Sequence, residues 1–539
     1  MRKVQAMKKH VIVFEPSGLR ISVGEHSTFL DAIRNTGLHV NSECGGKGTC
    51  GKCFITLYPV PDSVSQDLVH LSTTDLDQGN RVACQHSVTQ DTRVVLSDHR
   101  RNAKILTEGR SIEEHWKLDP GLDGKIGVAF DLGTTTIVGY LLDLSTGIQL
   151  GQSTSLNPQI IYGEDVISRI THAVREKNGA EDLSKIVTTE MNDLVSQVIE
   201  KARVGRNSLS RVSIVGNTAM HHLLLKADVK PLGLSPYEPT IKDAINTTGN
   251  AIGLSSVPKA SVYLPPNVAG FVGGDTVGFI LSQRLDMTEK VVLGIDVGTN
   301  GEIVLSNCGE LSCCSAAAGS AFEGASIRNG MRGQSGAIEY ISIVNPNDPP
   351  EISVIGNAAP QGLCGSAIVD VIAEMRRYGL LDSGGRIQST SNRIFHDDDF
   401  GMSYMITSRE ESDGQRDITF SQKDVRQVQL AKGAIQSGAT ILLSESELDV
   451  HDIDVVMLAG AFGNYIRPES ALRIGLFPQV HINNVVQVGN AAGEGAKALL
   501  LSSGNRRLVE KIVTGISYIE LANHENFQSV FIESLKFPE

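Results

Sequence analysis

Four of the eight cysteines in this 539-residue chain fall between positions 44 and 84, as Cys44-Gly-Gly-Lys-Gly-Thr-Cys50-Gly-Lys-Cys53 and then Cys84. Thiolates are soft ligands, and three from one loop with a fourth from a distant segment suit the two irons of a [2Fe–2S] cluster. A loop wrapped around a cluster must turn tightly and let backbone N–H groups approach the sulfides. Glycine meets both demands, and Gly45, Gly46, Gly48 and Gly51 are four of the seven non-cysteine residues between Cys44 and Cys53. The stretch nearly matches a phosphate-binding G-x4-G-K-[ST] loop, but Cys53 replaces the magnesium-ligating hydroxyl and Phe54 to Tyr58 reads as a strand, not a helix. A structural zinc site would want two separated C-x2-C pairs, and the chain has one. A cluster is the expectation. Cys308, Cys313, Cys314 and Cys364 are scattered and read as small buried hydrophobes.

A second pattern occurs twice. Between apolar runs the chain places Asp131-Leu-Gly133-Thr134-Thr135-Thr136, and again Asp296-Val-Gly298-Thr299-Asn300-Gly301-Glu302. Each copy reads as strand, turn, strand, and each is followed by a strand running into a glycine turn, at Val212–Thr218 and Val455–Asn464. Such a duplication predicts two similar lobes facing one another across a cleft. Backbone N–H groups of Gly133–Thr135 and Gly298–Gly301 can cradle phosphate oxygens, with threonine hydroxyls as added donors. Asp131 and Asp296, at the ends of apolar strands, suit Mg²⁺ held through water. Gly460 and Gly463 would let the backbone approach an adenosine, and Asp275 and Glu302 are candidates for positioning a hydrolytic water, though each equally reads as a solvated turn acid. Adjacent His221 and His222 would leave a helix in different directions, which favours packing or capping over a metal.

These groups need scaffolds. His10–Phe14, a Pro16-Ser17-Gly18 turn and Leu19–Val23 read as a hairpin. A short helix follows, opened by Thr28 and Asp31, with Phe29, Leu30 and Ile33 on its apolar face and Gly37 at its end. The expected division is a cluster domain over 1–98, a charged linker with Trp116 over 99–125, and two lobes over 126–289 and 290–539. A net charge of −13 argues against a nucleic-acid partner. No apolar run approaches the roughly 18–20 residues of a spanning helix, and the first residues turn polar too soon for a signal peptide. The expected location is the cytoplasm, away from membranes.

The cluster loop, one residue longer than the plant spacing, resembles that of adrenodoxin-type and related bacterial ferredoxins. The twin turns resemble the acetate and sugar kinase, heat-shock chaperone and actin superfamily, with Asp131–Thr136 and Asp296–Gly301 at its two phosphate motifs and Leu458–Gly463 at its adenosine motif. A closer resemblance spans nearly the whole chain. The cluster loop, Asn157-Pro-Gln, Tyr162–Ile170, Val215–His222, Ala269–Asp275, Ser315–Ala325, Leu458–Tyr465 and Val488–Gly495 together are similar to the reductive activators of corrinoid proteins. That resemblance implies an α+β ferredoxin domain of the β-grasp type followed by a two-lobed α/β, ribonuclease H-like, actin-type ATPase module. It implies an activity as well: ATP-dependent transfer of one electron from the [2Fe–2S] cluster to a Co(II) corrinoid protein, regenerating Co(I) for methyl transfer. The implied partners are the corrinoid protein of a methyltransferase system and an electron donor whose identity is open, as is a homodimeric state. Two other classes stay open here, a metabolite kinase with a redox-sensing ferredoxin domain and the electron-input component of an oxidoreductase. Against the latter, the chain shows no G-x-G-x-x-G in strand–helix context.

Overall fold

Alternation builds the first sheet. In Lys9–Glu15, His10, Ile12 and Phe14 are buried while Lys9 and Val11 face outward, the period of two that a one-sided strand requires. The computed structural model describes residues 9–15, 19–34, 36, 38, 40, 42, 44–96, 117–163, 165–298, 300–412 and 416–539. The expected Pro16–Gly18 turn, Gly37, Trp116, the 99–116 part of the linker and Thr299 lie outside the described residues. The chain gathers into two compact units, one from Met1–Asn102 with Leu156–Glu190, the other from Ala103–Ser155 with Met191–Glu539.

In the first unit, Lys9–Glu15 pairs antiparallel with Leu19–Gly24 and parallel with Thr92–Val95. Phe54–Tyr58 and Asn80–Val82 complete a five-stranded sheet. The helix Phe29–Arg34 is fixed at its start by a reciprocal pair, the Thr28 hydroxyl donating to Asp31 at 2.7 Å while the Asp31 N–H donates to Thr28 Oγ1 at 3.1 Å. Phe29, Leu30, Ala32 and Ile33 bury against Ile12, Phe14, Ile55, Leu57 and Val94, so the mixed sheet grips one helix. This is an α+β ferredoxin fold. The unit also contains the turn Pro158–Tyr162, capped by Asn157, and the helix Val166–Arg175, capped by Asp165.

The second unit holds two six-stranded sheets whose central strands repeat one plan. Ile126–Leu132 pairs antiparallel with Thr136–Asp143 and parallel with Leu209–Gly216. Val291–Val297 likewise pairs antiparallel with Gly301–Asn307 and parallel with Val455–Ala459. The register places Asp131 beside Val215 and Asp296 beside Ala459, so the two aspartates occupy equivalent strand ends. Helices Gly274–Gln283 and Ala491–Leu501 pack on one another so closely that a Cβ on Gly495 would stand 2.2 Å from the Gly278 carbonyl oxygen. The first of them contributes Phe279 and Ile280 to a core with Val292 and Val304. The second contributes Ala496 and Leu499 to a core with Ala129 and Tyr140. Each helix thus packs on the sheet of the opposite half, the plan of a two-lobed actin-type module. Residues 117–125, the described part of the expected linker, are held here too: Asp119 accepts from Arg211 at 2.7 Å and from Ser503 Oγ at 2.8 Å. Among the described residues no helix is long and apolar enough to cross a membrane.

Candidate functional site

The cysteine loop has the backbone its glycines predicted, with φ of +64° at Gly45, +98° at Gly46, +77° at Gly48 and +66° at Gly51. A side chain at Gly51 would strike His70 at 2.4 Å, and one at Gly48 would strike Gln85 at 2.6 Å. The thiols form two pairs. Cys44 and Cys50 stand with sulfurs 3.4 Å apart, and Cys53 lies against Cys84 closely enough to share a proton with it. In each pair the contact drives the two thiols apart in acidity: Cys44 falls to about 3 while Cys50 rises, and Cys84 falls to about 7 while Cys53 rises. Two thiolates on one tetrahedral metal stand about 3.8 Å apart at metal–sulfur bonds of about 2.3 Å, so two pairs fit two irons. Backbone N–H groups of Gly46, Thr49 and Cys50 point at the Cys44 sulfur, that of Gly48 and the Gln85 amide at Cys84. The donor set suits an anionic iron–sulfur group.

In the second unit the structure brings Asp131, Asp275, Asp296 and Glu302 together. Asp131 and Asp296 end their strands, Glu302 faces Asp296 across the hairpin, and Asp275 sits in the first turn of Gly274–Gln283. Their fields overlap. Burial raises Asp131 to about 6, against the opposing hydrogen bond from Asn490. Asp275 rises to about 6 through burial and then the Asp131 charge. Asp296 rises to about 7 through burial and then the charges of Asp275 and Asp131. Glu302, 8% exposed, is pushed well above the carboxylate range by burial and then by Asp275 and Asp296. Four acids in mutual repulsion are a place made for a cation. Among the described residues no three His, Cys, Asp or Glu converge closely enough to hold a metal directly.

The two glycine turns flank the acids. The Gly133 N–H donates to the Thr136 carbonyl at 2.9 Å and the Gly298 N–H to that of Asn300 at 3.0 Å, which closes both turns. The Asn300 side chain hydrogen-bonds to Glu302, and Gly301 is the first residue of its strand. Gly460 has φ +81° and opens the short helix Gly460–Tyr465 where a glycine turn was expected. A Cβ there would stand 2.2 Å from Asp296 Oδ1, so this glycine is needed beside the carboxylate itself. Gly463 gives its carbonyl to the Gln487 amide at 2.9 Å. His221 and His222 lie in the buried helix Thr218–Leu225, His221 against Asn267 and His222 against the Thr218 carbonyl.

Several residues of the site lie in segments singled out by sequence, but without a role assigned to them. Asn490 donates to Asp131 at 2.8 Å and to the Tyr140 hydroxyl at 3.2 Å. Asn217 donates to the Thr134 hydroxyl at 2.8 Å. The Thr135 hydroxyl meets Glu323 at 3.3 Å, and Phe322 beside it stacks on Phe462 with centroids 4.9 Å apart. Asn217 and Asn490 also cap the helices Thr218–Leu225 and Ala491–Leu501. Because Asn490 fixes a carboxylate rather than touching phosphate, Asn490→Ala is expected to lower ATP turnover by about 10–100-fold. Steady-state hydrolysis should show the loss mainly in kcat.

Three family models cover these regions. A 2Fe-2S iron-sulfur cluster binding domain matches residues 12–89, the RACo middle region matches 126–288, and the C-terminal domain of RACo, the ASKHA domain, matches 290–539. The corrinoid activation enzyme RamQ of Eubacterium limosum is 34% identical over 96% of this chain and 97% of its own length. The chain belongs to the RACo family. A [Co(II) methylated amine-specific corrinoid protein] reductase of Methanosarcina barkeri is 23% identical over 76% of the chain and 77% of its own. The solved structure of a reductive activator for corrinoid, iron-sulfur protein superposes with a TM-score of 0.71 at 28% identity, covering 98% of both chains. In RACo terms the acid quartet is a joint product, Asp131 and Asp275 coming from the middle region and Asp296 and Glu302 from the ASKHA domain.

Proposed function

We propose that this chain is an ATP-dependent reductive activator that delivers one low-potential electron to a Co(II) corrinoid protein of a methyltransferase system, restoring Co(I). The carrying observation is that one RACo-family chain holds both a four-thiol pocket lined by N–H donors and an acid-lined cleft between duplicated phosphate turns. Cys44 and Cys50 would hold one iron, Cys53 and Cys84 the other. When bound, the [2Fe–2S] group supplies a one-electron carrier near about −400 mV.

In the cleft, Asp131 and Asp296 would hold Mg²⁺, and Asp275 and Glu302 would position the attacking water. Gly133, Thr134, Thr135, Gly298, Thr299, Asn300 and Gly301 would receive the phosphates, and the short helix with Gly460 and Gly463 the adenosine. The two halves meet through helices in close contact at Gly278 and Gly495, and nucleotide stabilises one lobe arrangement by its differential affinity. For an electron going uphill by about 120 mV the cost is about 3 kcal/mol, within reach of such a shift. The cytoplasm suits a chain whose eight cysteines are all free thiols. The decisive experiment mixes the protein, a reductant and a Co(II) corrinoid protein, and follows the Co(I) spectrum with and without Mg-ATP. Co(I) should form only with nucleotide; equal rates without it, or a phosphorylated metabolite as product, would sink the reading.

A further inference from the structure

Arg34, the last residue of the helix gripped by the first sheet, makes two unusual hydrogen bonds. Its Nη2 donates to the Gly45 carbonyl at 3.0 Å and its Nε to the Ile161 carbonyl at 2.6 Å. The side chain is 17% exposed, and its guanidinium lies 5.9 Å from the Tyr162 ring centroid. Asp31 stands at 3.6 Å and partly offsets the charge. Tyr162 in turn stacks on His172 with centroids 4.3 Å apart. A Cβ on Gly45 would come within 3.3 Å of the Tyr162 carbonyl oxygen, so turn and loop are in close register.

The Gly45 carbonyl belongs to the same peptide group as the Gly46 N–H, and that N–H points at the Cys44 sulfur. A donor on the carbonyl fixes the plane of this peptide and polarises its N–H, which strengthens the bond to sulfur. Hydrogen bonds to the sulfurs raise the potential of an iron–sulfur group, because an added electron increases the negative charge they stabilise. We propose that Arg34 is a positioning residue that raises the cluster potential through the Gly45–Gly46 peptide, and that its bond to Ile161 makes this setting depend on the Pro158–Tyr162 turn. The turn lies in the middle-region segment, whereas Arg34 lies in the cluster domain. Displacement of the turn therefore weakens the N–H···S bond and makes the reduced cluster a stronger reductant.

The inference rests on the four cysteines carrying the cluster, and the test separates the two ideas. Redox titration of the full chain alone, with dithionite and mediators and read by EPR, needs neither ATP nor corrinoid. Arg34→Met should retain iron content but lower the midpoint so that the reduced-to-oxidised ratio at a fixed potential falls about tenfold, about 59 mV. Arg34→Lys, which cannot serve both carbonyls with a planar fork, should shift the same way by less, and it decides the matter if the methionine variant does not load. Tyr162→Leu, which leaves Arg34 in place but frees the turn from His172, should shift in the same direction. Wild-type potentials in loaded Arg34 variants would overturn the proposal, and a shift in those with none in Tyr162→Leu would overturn its dependence on the turn. A colourless wild-type protein would instead overturn the cysteine assignment.

Discussion

Asp296→Asn is expected to stop ATP turnover while making the nucleotide-free protein more stable at neutral pH. The two effects share one cause. Asp296 is held at about 7 by burial and by the charges of Asp275 and Asp131, which are themselves raised to about 6. A carboxyl with a raised folded value binds its proton more tightly in the folded chain than in the unfolded one, where it titrates near about 3.9. Between about pH 4 and pH 7 the folded state carries the extra protons, so stability falls as pH rises through that window. Without Mg²⁺, the melting temperature of the second unit should drop from pH 5 to pH 7.5. Asp296→Asn removes one member of the repelling set and should flatten that dependence. Mg-ATP should reverse the drop in the wild type, by about 2.7 kcal/mol at a hundredfold excess over Kd, and do little for the variant. Turnover should fall by about a hundred- to a thousandfold, as when a preorganised electrostatic group is lost. Hydrolysis within threefold of wild type, or a stability profile that rises from pH 5 to 7.5, would remove the quartet from the mechanism.

What the sequence made legible was local. The cysteine spacing and the glycines between Cys44 and Cys53 state their own backbone demand, since few other residues tolerate such a run of positive φ. Asp131 and Asp296 could be found because an acid ending an apolar strand before a glycine turn is a pattern within ten residues. What stayed hidden depends on strand order. Asn490 meets Asp131 from 359 residues away, because the helix Ala491–Leu501 of the second half packs on the sheet of the first. Glu323 reaches Thr135 across 188 residues for a similar reason. The Ser315–Ala325 segment was legible as part of the family resemblance, but nothing in it singled out Glu323 as the partner of Thr135. Gly460 was read as room for adenosine, but its nearest constraint is the Asp296 carboxylate. Nothing local to Arg34 pointed to Gly45 or Ile161 as its acceptors.

Cys50→Ala should give a protein that binds Mg-ATP normally and moves no electrons. Its sulfur stands 3.4 Å from that of Cys44, so its loss leaves one iron with a single protein thiolate. The remaining pair, Cys53 and Cys84, is already committed to one another. The visible absorption and the iron content should therefore collapse, and Co(I) formation should fall to the uncatalysed rate. Nucleotide affinity should stay within about twofold, because changes at sites that share no partners add independently. Cys50→Ser separates ligand loss from loop damage. It keeps a donor of similar size, and should retain part of the iron with an altered spectrum while Cys50→Ala retains none. A red-brown Cys50→Ala protein with normal Co(I) formation would move the cluster elsewhere. A simultaneous loss of ATP binding would show that the cysteine loop and the acid-lined cleft are not separable devices, and that the electron and the nucleotide are read by one structure instead of two.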